Sequence, residues 1–452
     1  MATDEGTAES TAIQGESRHI ALLVILFSTA FLFGLVENIK GVSLPLIKNE
    51  FGVSYDRQGG LVSLAWSGYV AFCLVASLFL QRFGVKRSVL AGYFLVCAGA
   101  VVTMAAPSLL AASLALLVVN AGFGFFEVGT NALGTVAFTR KPALMMGLLH
   151  FFYGFGAIAG PKAAGFLTTV LDFSWRQVYI ATIAPTALLA LFVLSVRFDH
   201  VGSTGRTGVE GMGQAGVEDS GRAEAEGLRQ ASVEGHLQTG VGGAGLTFFG
   251  ALRSPLVWMF AVTLGFMEVI EFGAANWGAL HLQDVYQLDP RTAGASLVSA
   301  FYILFTLSRL FSGLAIEKIG YVRSLCLAAA CTIAVFLAGF GLGRSGIWIL
   351  PLTGLFIGIM WPTMMAVAMG AFGADAPIVT SAIIVVSGAI NGVMQLVIGF
   401  TNEIVGEAWG YRSCLLYAVV VLLCLGQLTR CLSQRDSAPS GWRQAAGRSF
   451  QG

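Results

Sequence analysis

The sequence predicts an all-α polytopic membrane protein: twelve transmembrane helices in two pseudo-symmetric bundles of six. Three observations predict it. Of the 452 residues, 56% are hydrophobic and only 11% are charged, against about 25% charged in a soluble globular chain. The charges gather in short clusters between apolar runs of roughly 20 residues, the length that crosses a bilayer core. Midway, Asp199 to Thr247 breaks the pattern with thirteen glycines and no Phe, Trp or Tyr. Such a stretch cannot bury a core and reads as a linker.

The elements follow in order. Residues 1–19 form a polar, acidic tail without the basic start and short apolar core of a cleaved signal. The first apolar run is therefore expected to stay in the mature chain. Six spans are expected at residues 20–44, 58–80, 88–107, 109–138, 143–170 and 177–197, giving an N-terminal bundle over 20–197. A glycine-rich linker follows at 198–250. Six more spans are expected at 255–282, 292–316, 322–343, 347–371, 377–401 and 411–432, giving a second bundle over 251–433 and a tail over 434–452.

Basic residues set the orientation. With the N-terminus inside, eleven Lys and Arg outside the linker fall on the inner side, among them Arg18, Arg140, Lys141, Arg197 and Arg430. Six fall on the outer side: Lys48, Arg57, Arg176, Arg291, Arg344 and Arg412. Both termini are expected in the cytoplasm and the chain in the plasma membrane, a bacterial inner membrane.

The halves repeat. "FGLVEN" (33–38) matches "LGFMEV" (264–269), "FLQRFGVKRS" (79–88) matches "AIEKIGYVRS" (315–324), and Gly124 and Glu127 fall on Gly358 and Trp361. Gly154 falls on Gly388 and Trp175 on Trp409, so the offsets stay between 231 and 236 residues.

Two parallel six-helix repeats resemble the plan of the major facilitator superfamily. The loop "SLFLQRFGVKR" (77–87) is similar to that family's G-x-L-x-D-R-x-G-x-R/K motif, with Arg82, Gly84, Lys86 and Arg87 in place. Ser77 and Gln81 depart from it. The second copy keeps an acid at Glu317, followed by Lys318, Gly320 and Arg323. The resemblance implies a conformational latch formed by these residues, in which Arg309 near the inner end of helix eight is also counted.

Four acids lie inside spans: Glu37, Glu127, Glu268 and Glu271. An ionisable group at mid-bilayer costs about 2.5–3.5 kcal/mol on insertion scales and normally faces the bundle interior. Asn131 stands at i+4 from Glu127, on the same helical face. Gly122, Gly124 and Gly129 thin that helix for a neighbour or a ligand. Lys40, three residues after Glu37, either neutralises it or extends outward.

"GFGFFEVGTNALGT" (122–135) resembles the helix-four signature of the fucose:proton symporter branch, and "LHFFYGFGAIAGP" (149–161) and "EFGAANW" (271–277) resemble its fifth and seventh helices. The resemblance implies a secondary transporter working by alternating access, most directly a proton-coupled symporter of a small polar solute, a sugar or polyol. Departures at Gly41, His150 and Tyr153 mean that fucose itself is not implied. The expected coupling acids are Glu127 first, then Glu37, Glu268 and Glu271. The expected solute contacts are Glu127, Asn131, Asn38, His150, Tyr153, Asn276, Trp277, Trp361 and Gln395. Trp361 is expected opposite Glu127, and Asn276 and Trp277 at a broken helix end. The rival reading is a proton-driven antiporter exporting an amphipathic compound, because "GAIAGPKAAG" (156–165) partly matches an antiporter motif.

Other classes are set aside. Seven cysteines without a CxxC pair do not suggest a metal site or disulfide framework. No P-loop and no catalytic constellation occurs, so neither ATP drive nor an enzyme is expected. A net charge of +1 without a basic stripe gives no nucleic-acid signal. No cofactor is expected. The expected partners are the solute, protons and the bilayer, with sodium left open and a monomer anticipated.

Overall fold

The computed structural model describes residues 2–138, 142–196, 198 and 246–437. The basic residues Arg140, Lys141 and Arg197, most of the expected linker and most of the C-terminal tail lie outside these described residues.

The described chain is helical. The first half contains α1 (Ala2–Asn38), α2 (Lys40–Phe51), α3 (Tyr55–Phe83), α4 (Val85–Met104), α5 (Leu109–Ala137), α6 (Pro142–Val170), α7 (Trp175–Ala181) and α8 (Ile183–Ser195). A short α9 (Phe248–Ala251) precedes the second half. That half contains α10 (Pro255–Tyr286), α11 (Ala295–Ile319), α12 (Tyr321–Gly341), α13 (Thr353–Ile357), α14 (Met360–Phe372), α15 (Ala376–Val405) and α16 (Trp409–Ser437). Eleven spans among the described residues are long and apolar enough to cross a membrane, the first from Ser17 to Phe51. The remaining expected span, the fifth, is α6. It is 29 residues long. The first helix begins at Ala2, so the polar tail expected over 1–19 is drawn as helix almost throughout.

Local chemistry explains the ends. Ser108 caps α5, its hydroxyl accepting from the Ala111 N–H at 3.3 Å. Ser174 and Gln177 form a reciprocal capping box at α7, which satisfies two orphan N–H groups. Gly84 and Gly320 join α3 to α4 and α11 to α12 with φ of 81° and 92°, a region costly for residues with a Cβ. The two copies of the loop motif therefore share a backbone reason for their glycine.

Helices pack closely where glycines remove side chains. A Cβ on Gly34 would collide with the Tyr153 carbonyl, and one on Gly156 with the Phe31 carbonyl, so α1 and α6 lie backbone to backbone. Gly122 packs on α4 and Gly124 on α3. The thinning of α5 thus admits neighbouring helices at these two positions. Separate apolar cores fill each half: Leu26, Tyr93, Phe123 and Phe126 in the first, Phe260, Phe301, Phe305 and Phe336 in the second.

The tenth span is interrupted. The segment α13 ends at Ile357 and α14 begins at Met360. Pro362 lacks the N–H that would bond the Gly358 carbonyl four residues back. Arg309 supplies the replacement, its Nε–H donating to the Gly358 oxygen at 3.0 Å. A break was expected in the seventh span, near Asn276 and Trp277. That expectation is corrected: α10 runs unbroken from Pro255 to Tyr286, because nothing after its N-terminal proline removes a backbone donor.

The halves close together on the side of the 51–55, 286–290 and 405–409 turns, called distal here. Lys48 Nζ lies 3.7 Å from Asp284 Oδ2. Asn49 donates to Gln283 Oε1 at 3.1 Å, and the Tyr55 N–H to Glu403 at 3.0 Å. At mid-depth the Trp66 indole N–H donates to the Gly388 carbonyl at 2.8 Å. On the opposite side, Arg82, Arg87, Glu317, Lys318 and Arg323 are exposed. Among the described residues none of these five forms an ion pair. Lys86 instead donates to the carbonyls of Leu194 and Val196, 3.0 and 2.7 Å away.

Candidate solute and proton site

Glu127 sits mid-way along α5, and Asn131 donates to its Oε1 at 3.0 Å. The spacing of four residues stacks the two groups on one face, as their sequence positions require. Tyr69 on α3 lies within the electrostatic reach of both Glu127 and Glu268, one acid from each half. Its ring lies 5.0 Å from that of Trp66. Trp66 also packs 4.5 Å from Phe272 and, through Gly388, ties α3 to α15. Glu127, Asn131, Tyr69, Glu268 and Glu271 are all partly exposed although they lie mid-helix. Polar groups at that depth normally face the bundle interior.

Trp361 follows the break in the tenth span. Its ring is 6.4 Å from His150 of α6, and its indole N–H lies close to the Glu268 carboxyl. Trp361 therefore joins His150 and Glu268. Tyr153 packs edge-on to Phe33 at 5.1 Å and lies against the Asn38 side chain. Asn38 also donates to its own helix, at the Gly34 carbonyl, 2.9 Å away.

Arg309 is displaced from its expected place. Its guanidinium bonds the tenth span, stacks 4.2 Å from the Phe305 ring, and acts on Glu271, Tyr153, Tyr302 and His150 through its charge. It belongs to the interior group, away from the exposed basic loops. A lone Arg inside an apolar run was the signal, since a mid-span cation must face the interior.

Three other expected contacts form a closed network. Gln395 Oε1 accepts from the Trp277 indole at 2.9 Å and from Asn276 at 3.4 Å, and the Gln395 amide donates to Asn391 at 3.0 Å. Trp277 and Gln395 are each 1% exposed, so Trp277 offers no open face on which a sugar ring stacks.

Glu37 is also settled in place. Lys40 Nζ lies 2.5 Å from Glu37 Oε1, and both side chains are 4% exposed. The outward course for Lys40 is excluded by its burial. Tyr69, Trp66, Ser387 and Asn391 carried no sequence signal, because tyrosine, tryptophan, serine and a single amide are all compatible with an apolar span.

The match to known families is decisive for class. Residues 26–393 match the Major Facilitator Superfamily. The chain belongs to that superfamily. It is 23% identical to the L-fucose-proton symporter of Escherichia coli K12 over 431 residues, covering 87% of this chain and 90% of that protein. It is 29% identical to the efflux pump aflT of Aspergillus parasiticus over 204 residues, 43% of this chain and 38% of that one. Among solved structures, FucP in its outward conformation matches with a TM-score of 0.56 at 19% identity, over 91% of this chain and 99% of FucP. The nucleoside transporter NupG matches with a TM-score of 0.69 at 12% identity, again over 91% and 99%. At these identities the structural matches establish the fold.

Proposed function

We propose that this superfamily transporter carries a small polar, hydroxylated solute, a sugar or polyol, together with protons by alternating access. The observation that carries this reading is a pair of partly exposed mid-helix acids, one from each half: Glu127, bonded by Asn131, and Glu268, both near enough to Tyr69 to act on it by charge. An acid shared between two rocking halves changes its surroundings with each conformation, which is what coupling requires. Glu127 and Asn131 bind the solute hydroxyls, and His150 and Trp361 form its aromatic flank. Protonation cancels the charge that opposes closure of the halves around the solute. Glu37 and Lys40 hold each other in a fixed pair and serve the fold of the first span. The relation to an L-fucose-proton symporter over most of both chains supports proton coupling.

The test is accumulation in proteoliposomes driven by an imposed proton gradient. Wild type accumulates a transported sugar or polyol above equilibrium, and Glu127→Gln equilibrates it without accumulation. Normal accumulation by Glu127→Gln removes that residue from the coupling role. A second reading, proton-driven export, draws on the partial likeness to an efflux pump. Solute-dependent external alkalinisation supports symport, and acidification supports export.

A further inference from the structure

The contact between Glu268 and Ser387 has a proton-counting consequence. Ser387 Oγ lies 3.1 Å from Glu268 Oε1 and also 3.1 Å from the Ile384 carbonyl oxygen. A serine hydroxyl has one proton and two acceptor lone pairs. It cannot donate to both oxygens at once. If Ser387 donates to Ile384, the usual bond to its own helix, the 3.1 Å contact to Glu268 is a hydrogen bond only when the carboxyl carries the proton. The chain then runs from the Glu268 O–H to Ser387 Oγ, and from the Ser387 O–H to the Ile384 carbonyl, with every proton used. When the carboxyl is ionised, the hydroxyl must turn from Ile384 to Glu268.

We propose that Ser387 is a proton-positioning residue for Glu268: a hydroxyl that accepts from the neutral carboxyl and turns to donate to the carboxylate. This rests on the proton-coupled reading above and adds a second protonatable site on the C-terminal half. The step is a simple proton transfer. The carboxyl O–H breaks, the proton passes to a water molecule that reaches the carboxyl during the transport cycle, and the electron pair stays on Glu268. Ser387 keeps its own proton and changes only its acceptor. Geometry favours this residue. It is fully buried, so water does not compete for its hydroxyl, and among the described residues it is the hydroxyl bonded to Glu268 Oε1, with the Trp361 indole N–H beside the same carboxyl.

The charged and titratable groups that act on this pair are Glu271 one turn along α10 and Tyr69 on α3; Glu127 on α5 acts on the same tyrosine, and Arg309 on α11 acts on Glu271 and on His150 of α6. Arg309 acts on Glu271, and Trp361 on α14 brings an indole N–H near the Glu268 carboxyl. Neither replaces the acceptor that Ser387 supplies to a protonated carboxyl.

The experiment is infrared difference spectroscopy of the full chain in lipid, titrated with pH in H2O and D2O. A carboxylic C=O band that shifts on deuteration and vanishes in Glu268→Gln is expected. In Ser387→Ala the band moves to higher frequency, because its O–H loses an acceptor. Ser387→Cys, similar in volume and weak in hydrogen bonding, moves it the same way, and Ser387→Thr restores it. A band unmoved in both Ser387→Ala and Ser387→Cys, or the absence of any Glu268 band, overturns the proposal. The spectrum does not depend on transport. If the band behaves as expected while no solute moves protons, the symport reading fails and the Ser387 assignment stands.

Discussion

Glu37 in the first span and Glu268 in the seventh are aligned by the internal repeat, yet the structure treats them differently. Each has one carboxyl oxygen engaged by a side chain. Glu37 is engaged by the Lys40 ammonium, 2.5 Å away, in a pair sealed from solvent. Glu268 is engaged by the Ser387 hydroxyl and is partly exposed. A charge held by an opposite charge is fixed in its ionic state. A charge held by a hydroxyl retains a choice. The same residue type thus serves structure in one half and is placed for proton traffic in the other.

The largest expected effect breaks the paired acid. Lys40→Met leaves the buried Glu37 charge uncompensated and is expected to cost about 3–5 kcal/mol. Glu37→Gln combined with Lys40→Met recovers most of that loss. Thermal unfolding of the purified variants measures both, and equal destabilisation by the single and double changes contradicts a fixed pair.

Next comes the repaired break in the tenth span. Arg309→Ala orphans the Gly358 carbonyl and removes a hydrogen bond to a charged group, worth about 1.5–3 kcal/mol. Adding Pro362→Ala returns the missing backbone N–H and is expected to restore much of the stability, though not the charge beside Glu271. If the second change gives no recovery in the same unfolding assay, Arg309 is not a substitute for the proline-deleted bond.

The smallest expected effect concerns the closed network. Trp277→Phe loses its bond to Gln395 at a cost of about 1 kcal/mol, with solute affinity unchanged. A large loss of affinity in equilibrium binding, without loss of stability, would return Trp277 to the solute site.

Much of the fold was legible because membrane crossing imposes a length and a composition. The twelve apolar runs and the paired loop glycines at 84 and 320 needed no tertiary information. The i+4 pairing of Glu127 with Asn131 was equally local, since helical geometry places both groups on one face. What could not be read was which partner each acid finds across the bundle. Lys40 had two sterically reasonable courses, and only packing around α2 chooses burial. Trp361 matched Glu127 by repeat position, but its neighbours His150 and Glu268 belong to other helices, and that adjacency carried no sequence signal. Arg309 looked like an end-of-helix cation because its acceptor, Gly358, lies on another span. Ser387 and Tyr69 were silent because their types are ordinary inside membrane helices.

The central claim is that a partly exposed mid-helix acid, and not the sealed pair, carries the coupling. Solute-triggered proton movement in proteoliposomes tests it most directly, comparing Glu127→Gln with the Glu37→Gln and Lys40→Met double variant. The double variant is expected to alkalinise the external medium and Glu127→Gln is not. Alkalinisation by Glu127→Gln, with none from the stable double variant, would contradict it.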